Sequence, residues 1–192
     1  MIDTNGRVYL NRVFKTLAKF LLSLGASPTH VTIFALVIGL MGAIFFYSGF
    51  PILSLLFLWS SGLLDVLDGE MARVSGKSSQ KGALLDIFFD RIVEIAYIFA
   101  FIGTASTLSL LTLSSTIILS MTLFLSVGAM SQKESQKAFY YQVGLIERTE
   151  AFILFTLMIL FSQYSTYITY IFAFLIFITV IQRLREALRI LD

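Results

Sequence analysis

The sequence predicts an all-α integral membrane protein: six transmembrane helices preceded by an N-terminal amphipathic interfacial helix. Three observations predict it. The chain is 57% hydrophobic and only 14% charged over 192 residues, with a mean hydropathy of +0.87. Soluble domains run at about 45–50% apolar and about 25% charged residues. Six stretches meet or approach the roughly 20 mostly apolar residues that cross a bilayer. Finally, the charges segregate: the connections near 49–50, 104–106 and 163–165 carry none, and all 14 Lys and Arg lie toward the other face.

An arm over residues 1–28 comes first. Met1 to Arg7 is polar, so no secretory signal peptide is expected. From Val8 to Leu24, the residues Val8, Phe14, Leu17, Leu21 and Leu24 recur at a helical interval, interleaved with Arg12, Lys15 and Lys19. That pattern fits a helix lying in the interface, its basic residues toward anionic headgroups. The alternative is a surface helix packed on the protein. The spans are expected at 30–48, 51–73, 82–103, 107–131, 147–163 and 166–188, within one domain covering 1–192 whose bundle occupies 29–188. Gly49 and Pro51 punctuate the first hairpin, and Gly103–Thr107 and Gln163–Thr166 mark later breaks.

Orientation follows from Lys and Arg. They occupy the arm (Arg7, Arg12, Lys15, Lys19), the second connection (Arg73, Lys77, Lys81, Arg91), the fourth (Lys133, Lys137, Arg148) and the C-terminus (Arg183, Arg185, Arg189). Both termini are therefore expected in the cytoplasm, as an even number of spans requires. The absence of Cys excludes a disulfide framework and thiolate metal sites. A net charge of +2 makes no case for nucleic acid.

Four acidic residues stand in apolar surroundings: Asp65 and Asp68 near the end of span 2, Asp86 and Asp90 near the start of span 3. Ionisable groups in a membrane helix usually face a bundle interior or a wet cavity. Asp65, Asp68, Gly69 and Ala72 share one helical face, and Gly82, Asp86 and Asp90 share another. Two antiparallel neighbours on a short connection can bring the four carboxylates together. Converging carboxylates need either protons or a pair of divalent cations. Oxygen-only ligands suit Mg²⁺, Mn²⁺ or Ca²⁺. Gly69, Ala72 and Gly82 leave room for a ligand, and Arg73 offers a planar fork for phosphate. The plainer reading of the small residues is close helix packing.

Written out, residues 65–90 read DVLDGEMARVSGKSSQKGALLDIFFD. This resembles the signature of the CDP-alcohol phosphotransferase family, D-x2-D-G-x2-A-R-x8-G-x3-D-x3-D, at all eight fixed positions: Asp65, Asp68, Gly69, Ala72, Arg73, Gly82, Asp86 and Asp90. The resemblance implies a site for two Mg²⁺ or Mn²⁺ ions with Asp65, Asp68 and Asp86 as the main ligands. Asp90 is implied as general base and further metal contact. Gly69, Ala72, Arg73 and Gly82 would hold the CDP moiety. Ser27-Pro28-Thr29-His30-Val31-Thr32 resembles the family's P-N-x-x-T segment near the nucleotide, with Pro28, Thr29 and Thr32 as contacts and Thr29 in place of the usual Asn. Family membership also implies a homodimer. The implied reaction, at the cytoplasmic face, moves a substituted phosphate from a CDP-linked donor, such as the lipid CDP-diacylglycerol, to the hydroxyl of a small polar acceptor and releases CMP. The reverse pairing, a CDP-linked small alcohol with a lipid acceptor, also fits the family.

The second half addresses the acceptor. Gly144-Leu145-Ile146-Glu147-Arg148 resembles the G-x-x-E-R stretch of phosphatidylinositol-phosphate synthases and their archaeal counterparts, where basic residues bind the phosphate of an inositol phosphate. Lys133, Arg148, Arg183 and Arg185, with Lys137 nearby, are the candidates here, for inositol phosphate or glycerol phosphate. The alternative is that they anchor helix ends, with Glu147 and Glu150 as ion-pair partners of Arg148. His30 is expected at a wet polar contact, Trp59 toward lipid or packing, and Glu94 in a polar cavity or paired with Arg91. Two non-enzymatic readings stand beside these. A divalent-cation channel or transporter would need polar residues reaching the outer face, where spans 1 to 4 offer mostly Ser and Thr. A catalytically silent scaffold would not need the intact signature.

Overall fold

The computed structural model describes residues 2–130 and 144–191. Among the described residues seven helices follow one another: α1 (Ile2–Ser23), α2 (Pro28–Tyr47), α3 (Pro51–Val74), α4 (Gln80–Ala100), α5 (Thr107–Met130), α6 (Arg148–Leu160) and α7 (Ser165–Leu191). A 3₁₀ turn at Ser162–Tyr164 joins the last two. Among the described residues there is no strand, only an isolated bridge between Ile102 and Ala105.

Helices α2, α3, α5 and the stretch Ser162–Arg189 are long and apolar enough to cross a membrane. Two of the expected spans differ. Helix α4 has the length, but Lys81, Asp86, Asp90, Arg91 and Glu94 make it less apolar. Helix α6 has only 13 residues, about 20 Å at roughly 1.5 Å per residue, against a hydrocarbon core about 30 Å thick. Its start is fixed by a capping box in which the Glu147 amide donates to Glu150 Oε2 at 3.3 Å. Phe161 leaves the helical conformation and stops it. The expected 147–163 span thus contains a cap, a short helix and the beginning of the 3₁₀ turn.

The chain divides into two compact units, residues 4–101 and residues 102–192 with 1–3. In the first, α2 packs along both α3 and α4. The hydroxyl of Ser61 donates to the Ala35 carbonyl at 2.8 Å, and the Tyr97 hydroxyl donates to the Ser54 carbonyl at 3.1 Å. These bonds satisfy polar groups where water is excluded. Rings of Phe46 and Phe101 meet at 4.5 Å. At Gly42 a Cβ would collide with the Tyr97 hydroxyl and stand 3.1 Å from Phe57 Cβ. Gly42→Val should therefore push α2 off its neighbours at a cost of about 1–3 kcal/mol. Thermal unfolding in detergent reads this, and an unchanged transition would mean the seam is looser than described.

The pairs also set a register. Helix α2 runs parallel to α4, with Gly39 against Val93, Gly42 against Tyr97 and Phe46 against Phe101. It runs antiparallel to α3, with Ala35 against Ser61 and Gly42 against Ser54. Carried back to the first turn of α2, this register sets Thr32 level with Asp86 and Pro28 level with both Gly82 and Asp68. Helix α2 is thus the common support for the acidic segments of α3 and α4.

Helix α1 has three faces. Ala18 is fully buried with Val31 and Met71, and Leu21, Leu22 and Leu64 pack on that cluster. Val13, Leu17, Phe20 and Leu24 form a second, apolar stripe that is between 39% and 67% exposed. Arg12, Lys15 and Lys19 make the third, exposed face. The expected single stripe is therefore split: Phe14 and Leu21 are half-buried, whereas Leu17 and Leu24 point outward.

In the second unit α7 packs on α5 and on α6. The Ser106 amide donates to Thr166 Oγ1 at 2.9 Å, and the Phe155 and Phe172 rings meet edge to face at 5.4 Å. The Ser and Thr of α5 are largely spent on their own helix: Thr112, Ser114, Ser115 and Thr122 each donate to the carbonyl four residues back.

Candidate active site

Asp65, Asp68 and Asp86 each offer a carboxylate oxygen within 4.8 Å of the other two. Asp65 and Asp68 are one turn apart on α3, and Asp86 comes from α4 at the level that α2 dictates. Asp68 is buried at 5% exposure, and the other two are half-buried. The donor set is all oxygen, as Mg²⁺ and Mn²⁺ prefer. Oxygens opposite one another across Mg²⁺ lie about 4 Å apart, so small rotamer shifts seat an ion. The residues fit the group.

Asp90 follows on the same helix. It is half-buried on α4, about 6 Å along the helix axis from Asp86, one turn on. Three of the four carboxylates expected to meet are thus brought together, and the fourth follows one turn along α4. Glu94, a further turn along, pairs with Arg91.

The glycines flanking the trio are open. A Cβ at Gly69 would meet only the Arg73 guanidinium, 3.6 Å from Nη1, and one at Gly82 would meet only Ser79 Oγ at 3.3 Å. Ser79 caps α4 by accepting the Gly82 amide at 3.0 Å. Ala72 is half-buried and Arg73 is exposed. Arg73 donates through Nε and Nη2 to Glu70 Oε2, at 2.9 and 2.6 Å. Glu70 falls at an unassigned signature position and was missed, although an acid three residues before an Arg is a recognisable helix pair.

At the head of α2, Pro28 opens the helix behind its cap Ser27, whose Oγ accepts the His30 amide at 3.3 Å. Thr32 is buried and its hydroxyl donates to the Pro28 carbonyl at 3.0 Å, whereas Thr29 and His30 are exposed.

The basic candidates belong to the second unit. Lys133 and Lys137 lie outside the described residues. The segment before α6 is docked on α7: the Leu145 amide donates to Gln182 Oε1 and the Ile146 amide to Thr179 Oγ1, both at 3.0 Å. A Cβ at Gly144 would collide with the Thr179 methyl and stand 3.6 Å from Arg183 Nε. Arg183 is buried, and its Nη1 donates to the Ser120 carbonyl and hydroxyl at 3.2 and 2.8 Å, with the guanidinium over the Phe124 ring. It therefore ties α7 to α5. Arg148 begins α6 with its guanidinium 5.6 Å from the Phe152 ring centre. Glu147 and Glu150 serve as helix caps. Arg185 is exposed. Sequence reasoning missed Thr179 and Gln182, whose partners lie more than thirty residues away.

Carboxylates converging beside bare glycine backbone, on apolar helices, form a cluster that could hold a cation. The chain belongs to the CDP-alcohol phosphatidyltransferase family, whose profile matches residues 26–181 and so runs through both units. It is 39% identical over 90 residues to the archaetidylinositol phosphate synthase of Pyrococcus horikoshii, covering 47% of this chain and 46% of that one. The chain spans about half the length, or less, of such curated relatives. Two structures of the Mycobacterium tuberculosis phosphatidylinositol phosphate synthase share the fold at 24% identity. One, in complex with manganese and citrate, has a TM-score of 0.75 over 91% of this chain and 88% of that chain. The other, with CDP-DAG bound, has a TM-score of 0.69 over 92% and 94%.

Proposed function

We propose that this chain transfers a phosphatidyl-type group from a CDP-linked lipid, such as CDP-diacylglycerol, to the hydroxyl of a small phosphate-bearing alcohol, releasing CMP. Inositol phosphate is the favoured acceptor and glycerol phosphate the second. The observation that carries the reading is the Asp65–Asp68–Asp86 trio beside the open backbone of Gly69 and Gly82. The synthase relatives and the manganese and CDP-DAG of the mycobacterial structures support it. Family membership favours an enzyme over a cation channel, and so does the internal bonding of the α5 hydroxyls.

Asp65, Asp68 and Asp86 would hold two Mg²⁺ or Mn²⁺ ions, which when bound balance the carboxylates and stabilise charge on the departing CMP. Asp90 stands beside the trio to accept the acceptor's proton as its oxygen attacks the lipid-bearing phosphorus in line. One phosphorus–oxygen bond forms to the acceptor, and the bond to CMP breaks. Gly69, Ala72 and Gly82 admit the nucleotide to the backbone, Arg73 pairs with phosphate, and Pro28, Thr29 and Thr32 line the same level of the bundle. Arg148 leads the acceptor contacts, with Lys133 and Arg185 as further candidates. Arg183 supports them from α7.

The same reading makes α4 and α6 the third and fifth membrane-embedded segments of one six-span domain. The apolar stripe of α1 lies in the lipid interface. Both termini and the active site face the cytoplasm, the side to which every Lys and Arg is assigned. The assembly is a homodimer.

The test is a screen of radiolabelled inositol phosphate, glycerol phosphate, inositol and serine against CDP-diacylglycerol and CDP-archaeol. A phosphorylated product lipid with stoichiometric CMP is expected. Turnover confined to uncharged acceptors would remove the phosphate-bearing alcohol, and no CMP with any pair would remove the reading. Arg148→Ala should raise the acceptor KM by about tenfold or more, the worth of a charge-assisted hydrogen bond, and the donor KM much less. Gly144→Ala should move the same constant by undocking the segment from Thr179. Equal effects on both substrates would count against an acceptor pocket there.

A further inference from the structure

We propose that Glu70 is a positioning residue for the donor: it holds the Arg73 guanidinium against α3 so that its other edge faces the phosphate space over Gly69. The inference rests on the phosphotransfer reading and goes beyond the family signature, which leaves position 70 open.

The pair is asymmetric. The Glu70 side chain is only 6% exposed, whereas that of Arg73 is 52% exposed. A buried acid anchors a base that projects outward. Nε and Nη2 of Arg73 converge on the single oxygen Oε2 of Glu70. Those bonds take up one edge of the planar fork. Of the guanidinium nitrogens, Nη1 lies nearest the vacant Cβ direction of Gly69, at 3.6 Å. Asp68, the residue before Gly69, is one of the converging trio. The Nη1 edge is thus aimed over bare backbone next to the carboxylates, where a pyrophosphate would sit.

Two physical consequences follow. A long exposed arginine samples many rotamers, and ordering it opposes binding. Glu70 orders it before the donor arrives, which is preorganisation in the ordinary sense. The pair is also electrically coupled. Glu70 is a buried carboxylate, and Arg73 neutralises it. Removing Arg73 alone leaves an uncompensated buried charge facing an anionic donor. Removing both leaves none.

The experiment is a double-mutant cycle on CMP release with CDP-diacylglycerol. Glu70→Ala should raise the donor KM by about tenfold with a much smaller change in kcat, the pattern of lost ground-state and transition-state binding together. Glu70→Gln, which keeps an acceptor oxygen without its charge, should fall between. In an Arg73→Ala background, Glu70→Ala should add nothing, or restore part of the affinity. Multiplying effects, or a lower thermal transition with an unchanged donor KM, would overturn the assignment and leave an ordinary helix pair. Phenylglyoxal labelling of Arg73, read by mass spectrometry without substrate, separates this from the functional reading. Faster labelling in Glu70→Gln is expected, and equal rates would overturn the positioning role. If the unmodified protein releases no CMP, the phosphotransfer reading fails while the labelling still decides whether Glu70 fixes Arg73.

Discussion

Asp90→Asn should lower CMP release by a factor of about 10² to 10⁴, the usual worth of a positioned general base, while leaving Mn²⁺ affinity nearly unchanged. The split follows from geometry. Asp90 stands one turn from Asp86, a member of the trio whose oxygens converge within 4.8 Å. Asn keeps the size and one oxygen but cannot take a proton. The fold should also be indifferent, because Asp90 is half-buried on a helix seated through Val93, Tyr97 and Phe101. Calorimetric Mn²⁺ titration beside steady-state kinetics reads both halves. A full loss of metal binding would make Asp90 a principal ligand, and full activity would remove it from the chemistry.

Asp68→Asn should give the other large effect, with an opposite division. It is the most buried member of the trio, and its neutralisation should weaken Mn²⁺ binding by about a hundredfold or more, beyond the 10–100-fold of outer-shell changes. Turnover should fall accordingly and return partly at high Mn²⁺. Without metal, the sign on stability reverses. Three close carboxylates repel one another, so neutralising one should leave the metal-free protein as stable as before, or more so. Thermal unfolding in a chelator checks this. A clear loss of stability would mean that Asp68 serves packing first.

Much of the framework was legible because it is local. Span 2 was expected at 51–73 and α3 runs Pro51–Val74; span 4 was expected at 107–131 and α5 runs Thr107–Met130. Hydropathy and Pro51 suffice for that. The trio was legible from the i, i+3 spacing of Asp65 and Asp68 and from a short connection to Asp86. Asp90 follows Asp86 by four residues, which sets it on the same face one turn along the axis. Helix α6 came out shorter than the expected span because its capping box starts it at Arg148 and Phe161 stops it after Leu160, neither of which hydropathy registers. The docking of 144–146 on Thr179 and Gln182 left no trace in the sequence, since it depends on which turn of α7 comes alongside. The inward face of α1 was hidden for a similar reason: Ala18 carries little hydropathy, yet it is the residue that fits against Met71 and Val31.

The most direct measurement is Mn²⁺ electron paramagnetic resonance on the purified protein, titrated with and without CDP. Two ions per chain, magnetically coupled and bound more tightly with CDP, are expected. A single ion, or two uncoupled ions whose spectra ignore CDP and survive replacement of Asp65, Asp68 and Asp86, would contradict a cation site shared by α3 and α4 around a cytidine nucleotide.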